Sequence, residues 1–292
     1  MRGYRMIPSE KRERYREVLA GHTCVHPASV YDSFSARMAD SLGYNVGMLA
    51  GSVASAVVLG APDLVVLTLT EFAGLAHRIT RASDLSLMVD ADHGYGNALS
   101  VMRTVEELEA SGLAALTIED TRLPEQFRQE QGQELLSMDE GVGKLRAALA
   151  ARKDVTLSII GRTSALGFAG MEELIRRVKR YSEVGVDGLF ITGISTVEQL
   201  QEIRQATDLP LLMGNTPTAL RDGNVLSENG VKIALTGHQP FWASVKAAYE
   251  AMKHLSDGGS ADDLRDHVAS TELTDLVTKG DTYAQWRKEF LL

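Results

Sequence analysis

Two aspartates one residue apart, Asp90 and Asp92, follow an apolar run and precede the glycine-rich segment HGYGN. If extended geometry continues through them, positions two apart share one face of the chain. Two carboxylates side by side repel each other unless a cation lies between them. Few ligands, all of them oxygen, suit Mg²⁺, which keeps most of its waters. The plainer alternative is that Asp92 caps a turn or the next helix. A second acidic pair, Glu119-Asp120, ends another apolar run, and it tips the balance to a metal, with Glu119 placed to receive the ion's waters.

Other strand-end residues add to this pair. Arg162 directly follows the apolar run LSIIG. A buried arginine there is costly unless it meets an anion. That anion is either Glu119 or Asp120 in a structural ion pair, or a substrate carboxylate matched to the planar guanidinium. The small-residue run GSVAS, residues 51–55, lets backbone N–H groups approach a ligand, with Ser52 adding a hydroxyl; a plain turn is the alternative. His238 follows an apolar run and precedes Gln-Pro, where it either donates to a substrate carboxylate or carbonyl or plays a structural part. His93 and Tyr95 are expected to shape the acidic loop, and Cys24 to be a core residue.

The elements that must position these groups alternate regularly. Short runs rich in Val, Ile and Leu predict strands at 23–25, 46–50, 85–89, 115–118, 157–160, 188–191, 209–213 and 231–235. Helical patterns fall at 33–42, 71–82, 100–110, 139–151, 171–184, 196–206, 218–228 and 240–255. Such alternation implies a parallel sheet with right-handed crossovers, and eight units favour a closed (β/α)₈ TIM-type barrel over an open doubly wound sheet. In that barrel the strand ends share one mouth, so Asp90, Asp92, Glu119, Arg162 and His238 converge. We expect one domain over 1–292, with 258–292 as a C-terminal helical tail.

Composition excludes several classes. The 292 residues are 44% hydrophobic and 24% charged, enough for a large core, and the formal net charge of -9 argues against a nucleic-acid-binding surface. One cysteine permits no internal disulfide and no cysteine-based zinc site. The N-terminus lacks a signal-like apolar stretch, and no apolar run has the ~18 residues of a membrane span, so cytoplasm is the expected location.

At GSVAS, DADHGYGN, TIED and IIGRT the chain resembles the isocitrate lyase / phosphoenolpyruvate mutase superfamily, over about residues 30–249. PASVYDSFSARMADSLGYNVGMLAGSVAS resembles its first two βα units, APD (61–63) a loop whose Asp acts on the metal through water, and GVGKLRAALAAR its fifth helix. The resemblance implies Mg²⁺, or Mn²⁺ in its place, held by Asp90, with Asp92, Asp63 and Glu119 acting mainly through water. It implies a 2-oxo carboxylate substrate set against Ser52 and neighbouring amides, with Arg162 as its clamp. It further implies a homotetramer whose subunits exchange the last barrel helix.

Departures narrow the activity. Lyase members carry a lid with a Cys and a Gly-His pair; the corresponding stretch 122–140 here has neither. Lyases and mutases tend to carry a Glu just after strand 6, where this chain reads ITGIS. TGHQPFW resembles the motif of the oxaloacetate decarboxylase branch, whose histidine contacts substrate, and this branch is the best match. It implies oxaloacetate cleavage to pyruvate and CO₂ through an enolate, with Arg162, His238 and Ser52 catalytic and a proton supplied by solvent or by the stretch 125–134. That branch has a Tyr near the end of strand 7, where Asn215 or Thr216 stands here, and Ser164 replaces the common Asp or Asn after Arg-Thr. The alternatives are a carbon–carbon lyase of the methylisocitrate or alkylmalate type, a phosphonopyruvate-type enzyme, and a catalytically silent dicarboxylate-binding subunit.

Overall fold

The computed structural model describes residues 6–127 and 134–292. Eight parallel strands pair in chain order: β1 (Ala28–Ser29), β2 (Val46–Leu49), β3 (Ser86–Asp90), β4 (Ala115–Glu119), β5 (Ser158–Thr163), β6 (Gly188–Ile191), β7 (Leu211–Met213) and β8 (Val231–Ala234). Each strand neighbours the next, so every connection is a crossover to a parallel partner. The ring closes ahead of β1. There the Val25 amide donates to the Lys232 carbonyl at 2.9 Å, and the Val25 carbonyl accepts from Ala234 at 3.0 Å. The expected (β/α)₈ barrel is therefore present. Its first strand is displaced from the expected 23–25. Val25 makes only the bridge to β8, and the ladder to β2 starts at Ala28, beyond Pro27, which has no N–H to give.

The helices are α1 (Pro8–Ala20), α2 (Ser33–Ser41), α3 (Gly51–Leu59), α4 (Leu69–Thr80), α5 (Ala98–Ala110), α6 (Met138–Ala151), α7 (Ala165–Val184), α8 (Val197–Ala206), α9 (Gly223–Glu228) and α10 (Gln239–Ser256). Side-chain caps set several starts. Asp32 accepts the Ser35 amide of α2 at 2.7 Å, and Asn97 accepts the Leu99 amide of α5 at 3.0 Å. The expected helix 218–228 is broken. A 3₁₀ turn, Thr218–Leu220, precedes α9, which restarts where Asp222 accepts the Asn224 amide at 2.9 Å. Helices α1 and α3 lie outside the predicted set.

Strand alternation divides the core in two. Leu87, Val89, Leu116, Ile118, Ile159, Leu189, Ile191, Leu211 and Met213 face the helices. Met48, Met88, Ala115, Ile160, Phe190, Leu212 and Ile233 fill the barrel interior. Helix α1 closes the far end of that interior: its Tyr15 is fully buried, with its hydroxyl 3.7 Å from Met88 Sδ. The helix is held by cations. Lys11 donates to the carbonyls of Thr80 at 2.9 Å and Ser83 at 2.5 Å. Arg12 donates to those of Leu113 and Glu109, each at 2.8 Å.

After α10 the tail forms a 3₁₀ segment (Ala261–His267), α11 (Thr271–Thr278) and α12 (Gly280–Phe290). Helix α11 packs on α2, where Arg37 donates to the Val277 carbonyl. Among the described residues no helix is long and apolar enough to cross a membrane.

A candidate metal-dependent active site at the barrel mouth

The alternation that points Met88 and Ile160 inward also points Asp90, Glu119 and Arg162 inward, two residues further along or at the same height on the next strand. Register completes the set: Asp90 lies opposite Thr117, and Glu119 opposite Arg162, which itself lies opposite Phe190. The Thr117 hydroxyl donates to Asp90 Oδ1 at 2.8 Å. Arg162 donates to Asp90 Oδ2 through one terminal nitrogen and lies 3.1 Å from Glu119 Oε2 through the other. Its guanidinium carbon stands 5.5 Å from the Phe190 ring centroid. Of the two ion-pair partners expected for Arg162, Glu119 is present and Asp120 is not.

Asp120 points the other way. One residue beyond Glu119, it faces the helices, and its Oδ2 accepts from Arg177 at 2.8 Å and from the Tyr181 hydroxyl at 2.6 Å, both on α7. It braces β4 against α7 and takes no part in the mouth.

Asp92 reaches the cluster by a different route from the one expected. Strand β3 ends at Asp90, and Asp92 adopts a left-handed backbone with φ 46°. Its carboxylate lies against the first turn of α3: a Cβ on Gly51 would come within 2.8 Å of Asp92 Oδ1. Glycine is required there by this close approach.

The charges are unbalanced. Asp63, Asp90, Asp92 and Glu119 act on one another across the mouth, with Arg162 as the cation among them. Burial, then the charges of Asp90, Glu119 and Asp63, push the Asp92 carboxyl well above the usual carboxylate range. Glu119 is pushed up to about 7, by burial first, with Arg162 pulling the other way and Asp90 adding to the rise. Burial and Asp90 raise Asp63. Burial disfavours the Arg162 charge, but Asp90 and Glu119 outweigh it and keep the guanidinium protonated. Crowded, oxygen-only donors of this kind suit a hard divalent cation. Among the described residues no three Asp, Glu, His or Cys side chains close into a complete ligand cage.

The remaining expected residues sit around this cluster. Asp63, with Leu64, Leu123 and Pro124, lines a cavity of about 230 Å³. Ser52 occupies the first turn of α3, whose N-cap, Ala50, offers no side-chain cap to the helix amides. His238 precedes α10, and its Nδ1 lies 2.9 Å from the Ser29 hydroxyl. Burial lowers the His238 pKa, opposed by the Asp90 charge. Asn215 is exposed at the end of β7, and the adjacent Thr216 is the buried residue. Of the stretch 125–134, residues 128–133 lie outside the described residues. Sequence reasoning did not find Thr117, Ser29 or Lys144, which support Asp90, His238 and the His93 carbonyl. Thr117 alone left a signal, standing two residues before Glu119 on the same strand face.

Comparison with known proteins identifies the family. The family model described as phosphoenolpyruvate phosphomutase matches residues 16–256. A relative from Rhodopseudomonas palustris, named oxaloacetate decarboxylase, is 48% identical over 282 residues, covering 97% of each chain. The crystal structure of a phosphoenolpyruvate phosphomutase from Streptomyces platensis subsp. rosaceus superposes with a TM-score of 0.86 at 28% identity, covering 96% of this chain and 99% of that one. An oxaloacetate acetylhydrolase in complex with the inhibitor 3,3-difluorooxalacetate superposes with a TM-score of 0.83 at 27% identity, covering 97% and 98%. With its strand-end carboxylates and arginine in place and a match spanning most of its length, the chain belongs to the phosphoenolpyruvate mutase / isocitrate lyase superfamily.

Proposed function

We propose that this chain is a carbon–carbon lyase that decarboxylates oxaloacetate to pyruvate and CO₂ in the presence of Mg²⁺. The observation that carries the reading is the inward cluster of Asp90, Asp92, Glu119 and Asp63 around one guanidinium, in a chain 48% identical to a relative of that name. Asp90 is the direct ligand in this proposal, and Asp92, Glu119 and Asp63 orient coordinated water. A divalent cation bound there would supply Lewis acidity toward a 2-oxo acid.

The chain's own groups do the rest. Arg162, fixed above Phe190, offsets negative charge on the substrate carboxylate and on the enolate oxygen as the C3–C4 bond breaks. Ser52 and the amides that open α3 face the same charge from the positive end of the helix. In this reading His238 holds the distal carboxylate through a protonated Nε2, which requires Nδ1 to accept from the Ser29 hydroxyl 2.9 Å away. The electron pair of the broken bond passes into the enolate, and a proton from solvent at C3 completes pyruvate. No protein nucleophile is required.

Assembly is proposed as a homotetramer with exchange of α10. Only Phe241 of that helix is buried, while Trp242, Tyr249 and Met252 are at least 60% exposed, an apolar face that a neighbouring subunit would cover. The test of activity is CO₂ release from oxaloacetate above the metal-only background, with methylisocitrate, alkylmalates and phosphonopyruvate in parallel, each with and without EDTA. EDTA-sensitive turnover of oxaloacetate that Asp90→Ala abolishes is expected. Full turnover by Asp90→Ala, or preferential cleavage of another member of the panel, refutes the assignment.

A further inference from the structure

The loop that carries Asp92 has each of four successive carbonyls taken by a different donor. Ala91 O accepts from the Gly94 amide at 2.9 Å, within the loop, and Asp92 O accepts from the Glu119 amide of β4 at 2.9 Å. His93 O accepts from Lys144 Nζ of α6 at 2.8 Å, and Gly94 O from the Thr104 hydroxyl of α5 at 3.0 Å. Backbone in the left-handed region at a non-glycine residue persists only where its surroundings over-determine it. Asp92, at φ 46°, has its peptide planes fixed on both sides in this way.

Lys144 is the unusual donor. Its side chain is 3% exposed, and an ammonium so deeply buried is costly unless it is well used. Its hydrogen bond goes to a loop carbonyl, while Glu119, Asp120 and Glu140 lie near enough to favour its charge. A neutral side chain could fill the same space without that burden. The positive charge is aimed at the His93–Gly94 peptide, the second one after Asp92 and the next in line after the peptide that the Glu119 amide holds.

We propose that Lys144 is a positioning residue: by holding the His93 carbonyl it pins the turn immediately after the left-handed Asp92 to α6, and so keeps the Asp92 carboxylate in its direction in the metal cradle. The inference rests on the reading of Asp92 as part of a divalent-cation site. A charged donor holds the carbonyl more firmly than a neutral one. Outer groups that orient metal ligands typically change metal affinity by about 10–100-fold when removed.

The test is a Mn²⁺ titration of the full chain without substrate, with free Mn²⁺ followed by electron paramagnetic resonance, on wild type, Lys144→Met and Lys144→Arg. Wild type should bind one ion, Lys144→Met should bind it about tenfold more weakly or worse, and Lys144→Arg should recover most of the affinity. A purely structural lysine would lower the melting temperature of its variants while leaving the Kd of the folded fraction unchanged. Wild-type Kd in Lys144→Met therefore overturns the inference while leaving the metal site intact. Should Lys144→Met not fold, an unchanged Kd in Lys144→Gln overturns it equally. Absence of Mn²⁺ binding by wild type overturns the metal reading itself, and the role of Lys144 with it.

Discussion

Glu119→Gln should make the metal-free protein more stable at alkaline pH while lowering its turnover. The Glu119 carboxyl titrates near 7 in the folded chain against an ordinary value of 4.5. Between these values the folded state holds a proton that the unfolded state has lost, so stability falls as pH rises through the window. Below 4.5 the group is protonated in both states and contributes nothing; above 7 its cost is complete. At about 1.4 kcal/mol per pKa unit, that cost is about 3 kcal/mol at pH 8. Glutamine keeps the shape and still offers Arg162 an acceptor at the 3.1 Å contact, but carries no charge. For a chain of this length, 3 kcal/mol corresponds to about 5 °C in melting temperature. Thermal melts followed by circular dichroism in EDTA, at pH 8, 7, 6 and 5, should show the variant ahead by about that much at pH 8 and the gap closing toward pH 5. Saturating Mg²⁺ should raise wild type more than the variant, because binding to the folded state adds stability. A variant that melts at or below wild type in EDTA at pH 8, or a gap independent of pH, refutes the reasoning.

Gly51→Ala places a Cβ 2.8 Å from Asp92 Oδ1 and 2.9 Å from Oδ2, so it should displace that carboxylate and weaken Mn²⁺ binding about tenfold or more. Its melting temperature should hardly change, since alanine favours the helix by up to ~1 kcal/mol; wild-type Mn²⁺ affinity would contradict the close contact. Asp120→Asn should cost about 2 kcal/mol in urea unfolding, because it breaks the buried Asp120–Arg177 pair across the β4–α7 junction and leaves Arg177 only Glu173 on its own helix. Arg12→Ala removes two carbonyl contacts and the 2.6 Å pair with Asp154, and should cost about 2–4 kcal/mol with KM unchanged.

The barrel was legible because seven of its strands are short apolar runs punctuated by polar residues, and the strand-end rule then brought Asp90, Glu119 and Arg162 together. Strand β1 was misplaced because its two residues, Ala28 and Ser29, carry no apolar signal and owe their conformation to pairing with β2. Helix α1 was missed because half of its buried face is Lys11 and Arg12, beside Tyr15 and Leu19, so no apolar stripe marks it. Alternation separated Glu119 from Asp120 only once the inward face of β4 was known. Asp92 broke the alternation through its left-handed turn, which DHGYG encodes in its glycines without stating where the carboxylate goes. Thr117, Ser29 and Lys144 act over 27, 209 and 51 residues of sequence, distances across which a single chain offers no local pattern.

Helix α1 imposes an order on the chain's assembly. It precedes all eight strands in the chain, yet its anchors are the carbonyls of Thr80, Ser83, Leu113 and Val155 and the carboxylates of Asp154 and Asp187. None of these exists when α1 leaves the ribosome, and the last of them follows more than 160 residues later, since α1 ends at Ala20 and Asp187 precedes β6. The full set of its contacts therefore forms only once β3, β4 and β5 have aligned their leading ends. A surface of lysines and arginines suits that order, because it remains hydrated where an exposed apolar stripe would invite aggregation. Docking of α1 thus depends on segments later in the chain being correctly in register.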